Sequence, residues 1–281
     1  MKKNKILRRC FFGAACLILA LMMYGIWIEP DQIKIHHVWI RDGSLEKILR
    51  GKVVVQLSDL HISKIGKREQ KVLKILNALR PDIIFLTGDY VTWEGDYSSA
   101  LSFLSRLNAK IGVWAVMGDY DYSRSRKSCI FCHEEGSSKP TRQHAVRFLK
   151  DSMDLVSLSE GLLCVAGVDG EGGYSFSPDK TFSHLNDQIP TIILSHNPLN
   201  FDLIKNDQNI LMLAGDTHGG QVPIPGWFFS IMGYKKNALY SQGLFEKKQK
   251  KMFVSRGIGT SHVPIRLFRP PEIVFFHFTS E

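Results

Sequence analysis

Val53-Val54-Val55-Gln56-Leu57-Ser58-Asp59-Leu60-His61 is an apolar run that breaks off at once into polar side chains. The run is too short for a helix and is apolar on both alternating faces, so it reads as a strand buried on two sides. Ser58, Asp59 and His61 follow its C-terminal end, where open α/β proteins place their chemistry. The same arrangement returns along the chain. Ile83 to Leu86 runs into Thr87-Gly88-Asp89-Tyr90, and Val113 to Val116 into Met117-Gly118-Asp119-Tyr120-Asp121. Ile192 to Leu194 is followed by Ser195-His196-Asn197-Pro198, and Ile210 to Leu213 by Ala214-Gly215-Asp216-Thr217-His218.

Between the first three strands lie two segments of helical spacing. Arg68 to Leu79 places Val72, Leu73, Ile75, Leu76 and Leu79 on one side and stops before Pro81; Ser98 to Leu107 is the second. Further strands fit Leu162 to Val168, Met252 to Val254 and Ile273 to His277. A first half that reads βαβαβ and a second half richer in strands predict an α/β core with a mixed sheet or paired sheets.

A single Asp after a strand is usually a turn or a helix cap. Five strand ends that all present Asp or His need another account. Carboxylates and imidazoles gathered in one cleft are costly unless a cation joins them. A set of Asp and His ligands without Cys suits two adjacent divalent ions bridged by one carboxylate. In motif order and spacing, from about Val53 to the C-terminus, the chain resembles the calcineurin-like metallophosphoesterases. Their marks are Asp-x-His, Gly-Asp, Gly-Asn-His-Asp, a lone His and Gly-His-x-His. Asp216-Thr217-His218-Gly219-Gly220-Gln221, Ser255-Arg256-Gly257-Ile258-Gly259, Pro264-Ile265-Arg266 and Pro271-Glu272 look like the membrane-associated bacterial branch.

The resemblance implies a four-layer αββα sandwich. It also implies that Asp59, His61 and His218 bind one ion, that Asp89 bridges, and that His196 with Asp119 and Asp216 binds the second. Water activated by both ions would attack phosphorus in line. Arg256 and Arg266 are candidates for contacting the substrate phosphate, with a structural ion pair as the alternative. Three positions depart from the family pattern. Asp119 stands for its Asn and Asp216 for the first His of Gly-His-x-His, which makes the second position more anionic. That favours manganese, iron or magnesium over zinc. Tyr120 stands for the His that protonates a leaving group, and a phenol is a poor acid near neutrality. Every ligand position keeps a coordinating side chain, so the expectation is an active hydrolase of a phosphodiester, pyrophosphate or phosphomonoester. Some relatives cleave the pyrophosphate of a nucleotide-linked acylated sugar, which extends the expectation to lipid-linked substrates. The alternative is a metal- or haem-binding sensor on the same fold.

The composition, 44% hydrophobic and 22% charged, is that of a folded chain. Five of its nine net positive charges come from Lys2, Lys3, Lys5, Arg8 and Arg9, before the first acid at Glu29, which argues against nucleic acid as a partner. Cys10 to Ile28 carries no charge and as a helix would span about 28 Å, enough to cross a bilayer. It ends in Tyr24-Gly25-Ile26-Trp27-Ile28, unlike a cleavage site for a signal peptide, so it reads as an uncleaved anchor. The expected organisation is a cytoplasmic basic segment 1–9, an anchor 10–28, a linker and arm 29–50, and a phosphoesterase domain 51–281. That domain faces the periplasm or cell exterior. Residues 121–143 form an insert with Cys129-Ile130-Phe131-Cys132-His133, the spacing of covalent c-type haem attachment. His144 or Met153 would be the second axial ligand, and a disulfide or a zinc knuckle completed by His144 is the alternative. Ile224 to Tyr234 is strongly aromatic, either a membrane-dipping loop or a lid on the sheet.

Overall fold

Each buried run found in the sequence forms a strand, and each helical spacing a helix. The computed structural model describes residues 2–92, 97–122, 144–168, 188–204 and 209–280. A long helix α1 (Lys2–Trp27) leads into β1 (Lys34–Arg41) and α2 (Gly43–Leu49). The βαβαβ half is β2 (Val54–Leu57), α3 (Lys67–Leu79), β3 (Ile83–Thr87), α4 (Tyr97–Leu104) and β4 (Gly112–Val116). Then come β5 (Val146–Phe148), β6 (Ser152–Leu158), β7 (Gly161–Val168), β8 (Thr191–Ser195), α5 (Asn200–Leu203) and β9 (Ile210–Ala214). Two short helices, α6 (Gly226–Ile231) and α7 (Lys235–Leu239), precede β10 (Gly243–Lys247), β11 (Lys250–Val254) and β12 (Glu272–Thr279).

The strands form two six-stranded sheets, ordered β1-β12-β2-β3-β4-β5 and β10-β11-β9-β8-β7-β6. Within each, the central strands run parallel: β2 to β5 in the first sheet, β7, β8, β9 and β11 in the second. The sheets stack through Val54, Phe85, Trp114 and Val116 on one side and Leu163, Val165, Ile192 and Leu211 on the other. Burying an apolar side chain of this size contributes about 1.5–3 kcal/mol. Trp114 also donates its indole N–H to Asp154 Oδ2 at 2.9 Å, which joins β4 to β6. The outer face of the first sheet is covered by α3 and α4, through Val72, Leu76, Phe103 and Leu104. The outer face of the second packs against Phe201, Ile204 and Tyr240. The layers are those of an αββα sandwich, with a thin fourth layer among the described residues.

Local signals fix the helix ends. Glu69 accepts from the Gly66 N–H at 2.8 Å to open α3, and Arg80, at φ 48, closes it before Pro81. Asp42 Oδ1 caps α2 by accepting from Ser44 N and Leu45 N, each at 3.0 Å. Residues 29–50, which the sequence offers as linker and arm, contain β1 and α2. β1 pairs in parallel along its full length with β12, and α2 buries Leu45, Ile48 and Leu49 between the sheets. Among the described residues α1 is the one helix long and apolar enough to cross a membrane, and Phe11, Phe12 and Leu17 on it are exposed.

Candidate metal centre

All five polar strand ends meet at one edge of the sandwich. Asp59, His61, Asp89 and Asp119 follow β2, β3 and β4 of the first sheet; His196, Asp216 and His218 follow β8 and β9 of the second. Three clusters have donor atoms within 4.8 Å of one another: Asp59 with His61 and His218; Asp59 with Asp89 and His196; and Asp119 with His196 and Asp216. Asp89 Oδ2 is 3.4 Å from His61 Nε2 and also 3.4 Å from His196 Nε2, so it stands midway between the first and third clusters. His218 Nε2 is 3.1 Å from His61 Nε2 and 3.6 Å from Asp59 Oδ1. Two donors that share an ion at about 2.1 Å each lie roughly 3.0–3.4 Å apart. The backbone is bent to reach this arrangement: Asp59, His61, Asp89, Asp216 and His218 all have positive φ, between 44° and 74°. Such conformations are uncommon outside glycine and gather at functional sites. Gly88, at φ 92, sits where a Cβ would lie 2.6 Å from His196 Nδ1, so only glycine lets the two sheets close here.

Apart from the half-exposed Asp119, the donor set is largely buried. Burial pushes the Asp59 carboxyl up to about 7 and the His61 imidazole down to about 4. Burial also drives His218 well below the usual imidazole range. It would lower His196 too, but Asp89 beside it, and then Asp216 and Asp59, hold that ring well above its ordinary value. Asp59 Oδ2 and His196 Nε2 are buried without a hydrogen-bond partner, and a buried polar atom left unpaired is costly. The far nitrogens are accounted for, with His196 Nδ1 2.8 Å from Thr87 O and His61 Nδ1 3.2 Å from Val91 O. An imidazole that donates from Nδ1 to a carbonyl offers its Nε2 lone pair to a metal. Divalent cations therefore fit these residues, and the orphaned donors point at the places they would fill.

Other candidate residues take different positions. Tyr120 lies in the cleft with its N–H donating to Asp89 Oδ1 at 3.0 Å, its hydroxyl 3.1 Å from Ser261 Oγ and its ring edge-on to His61. Arg256 pairs with Glu272, its Nε 2.7 Å from Oε2, which is the structural ion pair. Arg266 is fully buried: it donates to the carbonyls of Gly259, Arg269 and Arg256, and its Nη2 lies 3.4 Å from Nδ1 of His218. Cys129, Cys132 and His133 lie outside the described residues. His144 packs edge-on against Phe148, and Met153 lies against the outer core of the second sheet.

The sequence did not single out Asp121, His262 or Lys236. Asp121 is buried and accepts from Asp89 N, Tyr90 N and Gly118 N at 2.8–2.9 Å. His262 and Lys236 line a cleft of about 590 Å³ with Asp89, Asp119, Tyr120 and Asp216. Only Asp121 had a local signal, its place two residues after the Gly-Asp of its strand end. The aromatic segment forms α6, where Phe229 is buried against the cleft while Trp227 and Ile231 are 65% and 75% exposed.

The family model of the calcineurin-like phosphoesterases matches residues 52–222, from the first buried strand through the last ligand motif. This chain belongs to that family. The phosphoesterase is 29% identical over 309 aligned residues to "UDP-2,3-diacylglucosamine pyrophosphatase LpxG" of Chlamydia muridarum, covering 92% of this chain and 93% of that one. It is 26% identical to "Uncharacterized metallophosphoesterase YkuE" of Bacillus subtilis, over 92% and 89% of the two chains. It is 25% identical to "Transmembrane protein with metallophosphoesterase domain" of Danio rerio, over 92% of this chain and 60% of that one. The phosphoesterase is thus an enzyme that hydrolyses phosphate esters, in a family that works with divalent metal ions.

Proposed function

We propose that this phosphoesterase is anchored by α1 and hydrolyses a lipid-linked phosphodiester or pyrophosphate at the membrane surface, using two divalent ions. One observation carries the reading: seven Asp and His side chains from two sheets converge, with Asp89 Oδ2 3.4 Å from an imidazole on either side and two buried donors left unpaired. Asp59, His61 and His218 would hold one ion, Asp119, His196 and Asp216 the other, with Asp89 between them. When bound, the ions would neutralise phosphoryl charge and acidify water. The chain's own residues hold these ligands: Asp121 fixes the Asp89 backbone, and Thr87 and Val91 orient His196 and His61. The oxygen-rich second group favours manganese, magnesium or iron over zinc.

The lipid-linked reading rests on the join between anchor and cleft. Arg266 N donates to Gly25 O at 2.9 Å, and buried Glu29 accepts from Phe268 N and Arg269 N. The anchor's end is thus bonded to the loop whose Ser261, His262 and Val263 line the cleft. Val263 and Phe268 on that loop, and Trp227 and Ile231 beside the cleft, are exposed apolar groups of the kind that enter a bilayer interface. A phosphate leaving group needs no protonation, so a pyrophosphate is compatible with Tyr120. The basic N-terminus sets the domain outside the cytoplasmic membrane, where phospholipid head groups and cell-wall pyrophosphates are the accessible substrates. The test is turnover by the full chain in nanodiscs with manganese, comparing an aryl phosphodiester, a lipid pyrophosphate and its water-soluble head group. Metal-dependent turnover with preference for the lipid form is expected. Bound metal without turnover of any of the three would favour a sensor instead.

A further inference from the structure

The second ligand group carries two acids, Asp119 and Asp216, where the family motifs have an amide and an imidazole. The fold brings a cation to them. Lys236 Nζ is 3.5 Å from Asp119 Oδ2 and pairs more closely still with Asp216 Oδ2. The ammonium is held there by more than its own reach. Lys236 belongs to α7, whose neighbouring Asn237 donates its side-chain amide to Thr217 O at 2.8 Å, and Thr217 Oγ1 donates to Ser241 O at 2.6 Å. The middle of α7 and the chain just after it are therefore tied to Thr217 of the Asp216-Thr217-His218 motif. The side chain is 29% exposed, so the pair is shielded from bulk water on most sides. The first ligand group differs: among the described residues, Asp59 makes no ion pair with a lysine or arginine.

We infer that Lys236 is the built-in counter-ion of the second metal position, an ammonium that the second ion must displace. The inference rests on the metal-centre reading above and adds the order in which that centre fills. The first ion meets Asp59, His61 and His218 with no ammonium on the carboxylate; Arg266 Nη2 lies 3.4 Å from Nδ1 of His218, whereas Nε2 is the nitrogen that faces His61 and Asp59. The second must enter between two carboxylates already engaged by Lys236, and a divalent ion and an ammonium a few ångströms apart repel strongly in a partly buried site. The first ion is accordingly resident and the second exchangeable. Phosphate of an arriving substrate offers Lys236 another anion, so substrate and second ion favour each other's binding.

The experiment is equilibrium loading of the full chain in nanodiscs with manganese, read by elemental analysis and by electron paramagnetic resonance. Wild type should load in two steps whose dissociation constants differ at least about tenfold, with an uncoupled single-ion spectrum between them. Lys236→Met should tighten the second step about tenfold or more and bring on the spin-coupled two-ion spectrum early. Lys236→Arg, which keeps the charge, should retain the gap and shows that a shift in Lys236→Met is not a folding defect. Coincident isotherms for wild type and Lys236→Met overturn the inference while leaving the metal centre standing. A wild type that binds no manganese overturns both.

Discussion

Asp89 is held in place by a residue that belongs to none of the three donor clusters. The Asp121 carboxylate accepts the backbone N–H groups of Asp89, Tyr90 and Gly118, which fixes the turn that aims Asp89 between the imidazoles of His61 and His196. Asp121→Asn leaves one acceptor oxygen and turns an amide N–H₂ toward backbone donors. Metal affinity should fall about 10–100-fold with the fold retained, as measured by manganese titration; an unchanged affinity would remove Asp121 from the centre. Tyr120 gives a second test. Tyr120→His should raise turnover of an alkyl phosphodiester about tenfold or more, where protonation of the leaving oxygen limits the rate. Aryl and phosphate leaving groups should change little, so the alkyl-to-aryl rate ratio is the measurement, and a ratio that does not move would show that Tyr120 is not where the leaving group sits. At this scale the candidate ligands that the fold brings together were legible because each follows a buried strand. Lys236 was not, since its role depends on α7 folding back over a motif 20 residues earlier. For Arg266 the sequence left a substrate contact and a structural ion pair open; the carbonyls that enclose it come from a loop whose path only the fold reveals.

Elements with both faces buried announced themselves, and those at the edges did not. β2, β3, β4, β8 and β9 are buried at nearly every residue and appear as apolar runs. β1 is an edge strand with exposed residues alternating toward its C-terminal end, and its partner β12 lies at the far end of the chain, so residues 29–50 looked like an arm. The exposed hairpin strand β10 escaped notice for the same reason. The aromatic segment read correctly as apolar, but only the fold separates buried Phe229 from exposed Trp227 and Ile231 on α6. That separation makes a measurable expectation. In nanodiscs whose acyl chains carry bromine, Trp227 should be quenched and buried Trp114 should not. In a Trp27→Phe background, Trp227→Phe should then remove much of the quenchable emission and Trp114→Phe little; equal losses would place α6 away from the bilayer.

The molecule as a whole is two sheets that both contribute to one candidate ligand set. Asp59, His61, Asp89 and Asp119 come from one sheet, His196, Asp216 and His218 from the other, so bound ions would cross-link the layers at the edge where the apolar core ends. Ligands that bind only the folded state stabilise it, by about 2.7 kcal/mol at a hundredfold excess over the dissociation constant. The pH dependence follows from Asp59. Its carboxyl, 3.8 in an ordinary setting, is pushed by burial to about 7 in the metal-free fold. Between those values the folded chain holds a proton that the unfolded chain has released, so the contribution of Asp59 to the stability of metal-free protein falls as pH rises from about 4 to about 7. A metal needs the same carboxylate unprotonated, so the stabilisation from a fixed manganese concentration should grow across that window. His61, lowered from 6.5 to about 4, is already neutral in the fold there and does not compete with the metal, but its contribution to metal-free stability rises with pH, opposite in sign to that of Asp59. The measurement is the difference in Tm between manganese-loaded and chelator-stripped protein from pH 5 to pH 8. The gap should widen up to about pH 7, and Asp59→Asn, which carries no titrating proton at that position, should flatten it. A wild-type gap independent of pH would mean that Asp59 does not join the two sheets through a metal.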